Sequence, residues 1–271
     1  MLIRCGYDIG FNVEMKTAMM ALLNVHPSRH HDLRSPQRLM ASPDIPLYHF
    51  EDSFGNVVTR FTIPPGGLAL SCDFVIEDSG EPDARAPDGL QMSVEDLPDD
   101  VIPFLLGSRY CETDRLMDVA WANFAHLEAG RDRVDAIVTF VHNHIEFGYH
   151  HARPDKTAWN AYQERQGVCR DFAHLAITLC RCMNIPARYC TGYLGDIGIP
   201  PVDAPMDFSA WFDVYIDGAW YTHDARHNRP RIGRILMARG RDATDVALTT
   251  AFGPATLIRF EVHTDEVSSM S

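Results

Sequence analysis

Cys169 is the residue best placed for covalent chemistry, because it stands at the predicted start of a buried helix. From Cys169 onward, apolar side chains recur at the spacing of one helix face, at Phe172, Ala176, Leu179, Cys180 and Met183. Asn184 suits the left-handed position after the helix, and Pro186 prevents its continuation. A thiol at a helix N-terminus is favoured as thiolate, and the free N–H groups there can stabilise an oxyanion. The pattern therefore predicts a nucleophilic cysteine.

A β-hairpin is predicted further along the chain. Aromatic and β-branched residues in two runs, 209–216 and 219–224, flank an Asp-Gly turn. Side chains alternate between the two faces of a strand. With a two-residue turn, Ser209 and Asp224 are therefore diagonal neighbours on one face, whereas His223 lies on the opposite face.

Cys169, this hairpin and Asp224 together resemble the transglutaminase-like superfamily of papain-related thiol enzymes. In that family a Gly-x-Cys turn precedes a helix, a His-Ala-Trp strand follows, and a further strand ends in Asp-Pro or Asp-Ala. The corresponding segments of this chain are Gly167-Val168-Cys169, Ser209-Ala210-Trp211 and Asp224-Ala225. The resemblance covers the second half of the chain. Residues 48–61 also resemble the β-rich N-terminal domain of bacterial members.

The chain departs from the family at Ser209, which stands where the family carries histidine. The resemblance implies that a Cys–His–Asp triad becomes Cys169, Ser209 and Asp224, without its base. General acid–base catalysis is typically worth about 10²–10⁴ in rate, whereas a helix terminus contributes only roughly 0.3–1 kcal/mol. We therefore expect weak catalysis or none, and a Cys169 pKa near the ordinary value, unless another histidine approaches the thiol.

Three functions remain open at this point. The first, implied by the resemblance, is a cysteine protease or transglutaminase that attacks a peptide or protein amide and forms an acyl-enzyme at Cys169. The second is a catalytically inactive descendant that binds a peptide or protein, which Ser209 favours. The third is an interaction module built around the N-terminal domain. The sequence predicts neither the substrate, nor the choice between hydrolysis and transamidation, nor the oligomeric state.

Charge and cysteine content restrict the partners and the compartment. The 24 Lys and Arg residues against 37 Asp and Glu residues give a net charge of −13, which argues against nucleic acids and anionic membranes as partners. Seven cysteines without a Cys-x-x-Cys pair favour free thiols in a reducing compartment. Neither a signal peptide nor an apolar run of roughly 20 residues is found in the sequence. We therefore expect a cytoplasmic protein.

The order of predicted elements indicates an α+β fold with two domains. Residues 1–105 contain short alternating runs, such as 57–63 and 68–76, and are predicted to form a β-sandwich. The polar segment 78–100, with several prolines, is expected to connect the domains. Residues 106–271 are predicted to form a transglutaminase-like domain of helices packed on an antiparallel sheet.

Histidines outside the hairpin do not predict a metal site. Four of them lie close together in the sequence: His142, His144, His150 and His151. The first two are two residues apart on a predicted helix and do not share a face. We therefore expect neither a metal nor a cofactor. His174 is predicted to point away from the Cys169 turn, and His227 is expected to cover the rim of the site.

Overall fold

The computed structural model describes residues 1–86, 89–201 and 206–267. Residues 87 and 88, in the predicted connection, and residues 202–205 and 268–271, in the predicted second domain, lie outside these ranges.

Fourteen strands and four α-helices form within the described residues. The strands are β1 (Leu2–Asn12), β2 (Thr17–Ala21), β3 (Met40–Ser42), β4 (Tyr48–Glu51), β5 (Val57–Ile63), β6 (Leu68–Glu77), β7 (Glu146–Phe147), β8 (Gln166–Gly167), β9 (Ala187–Leu194), β10 (Ser209–Ile216), β11 (Ala219–His223), β12 (Arg234–Gly240), β13 (Thr249–Ala251) and β14 (Thr256–Glu266). The helices are α1 (Thr113–Phe124), α2 (Arg131–His144), α3 (Ala158–Glu164) and α4 (Cys169–Cys182). None of the helices in the described ranges is both long enough and apolar enough to cross a membrane.

The N-terminal part is a β-sandwich, as predicted. One antiparallel sheet has the strand order β14-β1-β6-β3, and the other has the order β13-β2-β5-β4. Alternate residues of β6 are buried between the sheets: Leu68, Leu70, Cys72, Phe74 and Ile76. This period of two is the alternation from which the strand was predicted.

The two C-terminal strands belong to the sandwich, which corrects their expected place in the second domain. β14 pairs with β1 from Ile3 opposite Glu266 to Asn12 opposite Thr256, and β13 pairs with β2. The alternation of residues in a strand predicts which of its faces is buried, but it does not predict which strand, far away in the sequence, pairs with it. The domain boundary at residue 105 stays a prediction.

The second part packs its helices on the antiparallel sheet β11-β10-β9-β12. At its centre, α4 is buried on all sides rather than along one apolar face. Its polar side chains have partners there: Thr178 Oγ1 donates to the carbonyl of His174 at 2.7 Å, and Arg181 Nη2 donates to the carbonyl of Ala187 at 2.8 Å. Asn184 has the left-handed backbone predicted for it, with φ of 59°.

The sandwich and the second sheet share one apolar core. Tyr193 of β9 and Ile235 of β12 are fully buried among the inward side chains of β1 and β6. The ring of Tyr193 packs edge-on against Phe74 with ring centroids 5.7 Å apart. The sheet that carries the candidate site is therefore fixed against the sandwich by apolar packing.

Candidate active site

Cys169 is the first residue of α4, as predicted. The N-terminus of the helix is closed by Asp171, whose Oδ2 accepts the backbone N–H of Val168 at 2.9 Å. This folded-back carboxylate lies over Gly167, where an added Cβ would come within 2.7 Å of Asp171 Oδ2. The Gly-Val-Cys-Arg-Asp sequence is therefore a structural unit that holds the thiol at the helix start.

A cavity of about 60 Å³ lies against the partly exposed Cys169. Ser209 lines the same cavity, together with Asp207, Arg226 and His227. The structure thus brings together two of the three predicted site residues in one concave space, while Asp224 lies behind His227.

The hairpin that precedes Asp224 has the predicted register. Asp217 and Gly218 form its turn with φ values of 51° and 76°, and Ile216 pairs with Ala219. The paired region of the hairpin begins at Phe212, however, so Ser209 lies beyond it and pairs with β9 instead. Strand pairing therefore does not itself fix the predicted diagonal contact between Ser209 and Asp224.

Asp224 is buried, and the donors to its carboxylate come from outside the predicted triad. Oδ1 accepts the backbone N–H of His227 at 3.0 Å. Oδ2 accepts hydrogen bonds from Nδ1 of His227 at 2.8 Å and from Nη2 of Arg234 at 2.8 Å. Burial raises the pKa of Asp224, but the charge of Arg234 and the hydrogen bond from His227 outweigh it, so this pKa lies well below its ordinary value. The group is an anion at neutral pH.

The contacts of His227 and Arg234 with Asp224 were not predicted from the sequence. His227 lies three residues after Asp224 in a turn that the backbone N–H of Asn228 closes on the carbonyl of Asp224 at 2.8 Å. An Asp-x-x-His spacing directly after a strand is the local signal that predicts such a contact. Arg234 approaches from β12, and no local signal links it to the site.

The surroundings of the Cys169 thiol disfavour its thiolate form. Burial raises its pKa to about 11, and the charge of Asp207 adds to this effect. The charge of Arg226 and a hydrogen bond from the backbone of Ala210 oppose the shift without cancelling it. None of the described groups that act most strongly on this thiol is a histidine. The expected near-ordinary pKa was therefore too low, because burial outweighs the helix terminus.

His174 points away from the Cys169 turn, as predicted. It is fully buried, with Nε2 3.2 Å from the backbone nitrogen of Ala243. Its ring stacks on Tyr110 with centroids 5.0 Å apart. Burial lowers the pKa of His174 to about 3, so the ring is neutral and serves packing.

Two of the four clustered histidines lie against backbone carbonyls. His142 Nδ1 lies 3.0 Å from the carbonyl oxygen of Arg226, and His144 Nε2 lies 2.7 Å from that of Tyr162. His142 thereby supports the turn that carries Arg226 to the cavity. The described part of the chain contains no group of three His, Cys, Asp or Glu side chains arranged to hold a metal ion.

Comparison with known proteins identifies the family of this chain. The sequence model of the transglutaminase-like superfamily matches residues 122–225, which include Cys169, Ser209 and Asp224. A solved structure of a candidate cysteine protease from Cytophaga hutchinsonii is 30% identical and has a TM-score of 0.84, covering 99% of this chain and 91% of that one. The chain belongs to the transglutaminase-like superfamily. An uncharacterized protein of Mycobacterium leprae is also similar, with 26% identity over 220 residues, or 78% of this chain and 77% of the relative. Both the predicted family and the predicted transglutaminase-like fold are thus confirmed.

Proposed function

We propose that this transglutaminase-like protein is a thiol acyl-transfer enzyme that acts on peptide or protein amides, with Cys169 as nucleophile. The observation that carries the proposal is the place of this thiol, at the N-terminus of α4 and open to the cavity that Ser209 and His227 also line. The other six cysteines, all among the described residues, are buried. Cys169 is therefore the thiol that a substrate reaches.

The reaction requires a proton acceptor near the sulfur. The sulfur bonds to the amide carbonyl carbon, and the N–H groups at the start of α4 stabilise the resulting oxyanion. The C–N bond then breaks as the leaving amine takes up a proton, and water or another amine later removes the acyl group from Cys169. Ser209 is neither a base nor an acid at neutral pH. The expected activity is accordingly slow compared with that of an intact triad.

Acylation by p-nitrophenyl acetate tests the assignment of Cys169. Mass spectrometry of the protein and its peptides should show one acetyl group on Cys169, and Cys169→Ala should remove it. Cys180→Ala is a matched control, because this thiol lies on the same helix but is fully buried. An acetyl group that forms equally in Cys169→Ala would contradict the proposed nucleophile.

A protein substrate separates the two reaction classes. Dimethylcasein supplied with monodansylcadaverine should gain fluorescence if the acyl group passes to an amine. New N-termini should appear instead if peptide bonds are hydrolysed. Either product must depend on Cys169 for the enzyme assignment to stand.

The second candidate is a catalytically inactive module that binds a peptide or protein. It is favoured by Ser209 in place of a base and by the burial that raises the pKa of Cys169 to about 11. A complete absence of Cys169-dependent acylation at pH 7 and pH 9 would make this the better assignment.

We also propose a cytoplasmic location. The support is that all seven cysteines, each within the described ranges, are free, in keeping with a reducing compartment. Alkylation under denaturing conditions, directly after lysis of the native source, should count seven thiols per chain. The absence of nucleic acid and membrane partners stays a prediction from the net charge of −13.

A further inference from the structure

We propose that His227, held by Asp224, is the general base and acid of this site and replaces the histidine absent at position 209. The inference rests on the thiol activity proposed above. It assigns the proton transfer to a residue outside the family triad and makes Asp224 the group that orients it.

Asp224 fixes His227 at two points. Its Oδ2 lies 2.8 Å from Nδ1 of the ring, and its Oδ1 accepts the backbone N–H of the same residue at 3.0 Å. A carboxylate on Nδ1 holds the proton there and leaves Nε2 as the basic nitrogen. Arg234, bonded to the same Oδ2, keeps Asp224 ionised.

The imidazole faces the space that a substrate must enter. The side chain of His227 is 18% exposed and lines the same cavity as Cys169 and Ser209. The cavity of about 60 Å³, which both residues line, has room for a water molecule. A general base acts either directly or through one such water, and catalytic hydrogen bonds commonly shorten only in the substrate complex.

Other charged groups face the cavity and must be separated from His227 by experiment. They are Asp196, Asp207, Arg226 and Arg231. Among them, Asp207 is the alternative base, because burial raises its pKa and it acts on the thiol. Asp224 orients His227 through two hydrogen bonds, whereas the charge that acts on Asp207 is that of Arg226.

The proton transfers balance over one cycle. Nε2 takes the proton of the Cys169 thiol as the sulfur bonds to the acyl carbon. The imidazolium then gives this proton to the leaving group as the bond from carbon to that group breaks. In the second half, Nε2 takes a proton from water as its oxygen attacks the acyl carbon, and returns it to the sulfur as the S–C bond breaks.

The test compares His227→Asn with the parent in acylation by p-nitrophenyl acetate from pH 5 to pH 9. Asparagine keeps an N–H donor for Asp224 but has no basic nitrogen. We expect a rate about 10²–10⁴ lower and a changed dependence of the rate on pH. His126→Asn is the matched control, since His126 is an exposed histidine away from the cavity, and it should leave the profile unchanged.

Chemical rescue separates a catalytic from a structural role. Added imidazole should restore acylation in His227→Ala but not in Cys169→Ala. If a folded His227→Asn protein has the rate and pH profile of the parent, the inference is wrong and the thiol function stands. A loss of rate of this size in Asp207→Asn alone would give the role to Asp207 and also overturn the inference. If the parent shows no Cys169-dependent acylation, the proposed function itself fails.

Discussion

Restoring histidine at position 209 tests the site most directly. Ser209 immediately precedes Ala210, whose backbone hydrogen-bonds to the Cys169 sulfur, so a side chain at 209 begins beside the thiol. Asp224 Oδ2 is already bonded to His227 and Arg234, which leaves it crowded for a second imidazole. The change is therefore best made as Ser209→His in the His227→Ala background, where that oxygen has lost one donor.

The expected gain follows from the state of the thiol. With a pKa of about 11, only about one Cys169 side chain in 10⁴ is thiolate at pH 7. A base that removes the thiol proton during attack can raise the acylation rate by at most about the same factor of 10⁴. This value matches the upper limit of general base catalysis. We expect acylation about 10²–10⁴ faster than in His227→Ala alone, equivalent to about 2.7–5.5 kcal/mol of barrier.

The assay is release of p-nitrophenolate at pH 7, after circular dichroism and a thermal melt have shown that the variant folds. Ser209→Asn in the same background is the matched control, because it adds a polar side chain without a basic nitrogen. Asp224→Asn should reduce the gain by removing the carboxylate that orients the ring. A folded Ser209→His variant that reacts no faster than His227→Ala would refute the placement of position 209 beside the thiol.

Four further outcomes are expected. Alkylation of Cys169 by iodoacetamide should rise steadily above pH 8, and a plateau by pH 7 would contradict the raised pKa of about 11. Gly167→Ala should cost about 1–3 kcal/mol in chemical unfolding, because the new Cβ would displace the Asp171 cap; an unchanged midpoint would show that the cap adapts. Residues 106–271 expressed alone should not melt cooperatively, since β13 and β14 lose their partners β2 and β1, whereas the full chain should. Asp224→Asn should lower the free energy of unfolding most at neutral pH, and its effect should shrink as the pH falls below about 4. The reason is that the pKa of Asp224 is lower in the folded than in the unfolded protein. The stabilisation by the carboxylate is therefore present above the unfolded pKa and is lost as the pH falls towards the folded pKa.

The parts of the structure that local sequence determines were predictable. The Asp217-Gly218 turn requires left-handed backbone at both residues, and this chemistry sets the register of β10 against β11. The start of α4 at Cys169 and its end at Asn184 likewise follow from residues within one helix length. In both segments the deciding interactions lie close together in the sequence.

The parts that depend on distant residues were not predictable. β14 carries strand residues, but its partner β1 begins more than two hundred residues earlier, and no local property identifies it. The pKa of Cys169 depends on how deeply the surrounding chain buries the thiol, which the helix pattern does not reveal. Arg234 begins β12, at the opposite edge of the sheet from β11, and only the folded chain brings its side chain to Asp224.

Arg234 gives Asp224 a structural role in addition to its proposed catalytic one. Its Nη2 donates to Asp224, while its Nε donates to Asp83 Oδ2 at 2.8 Å, so one buried guanidinium joins two carboxylates. Removing a partner from such a network leaves a buried charge uncompensated, which is strongly destabilising. Asp224 therefore stabilises the fold even if Cys169 never forms an acyl-enzyme. Its presence cannot separate an enzyme from a binding module. The basic nitrogen of His227 can separate these two functions, because the contact with the carboxylate uses Nδ1 and leaves Nε2 to take a proton from the thiol.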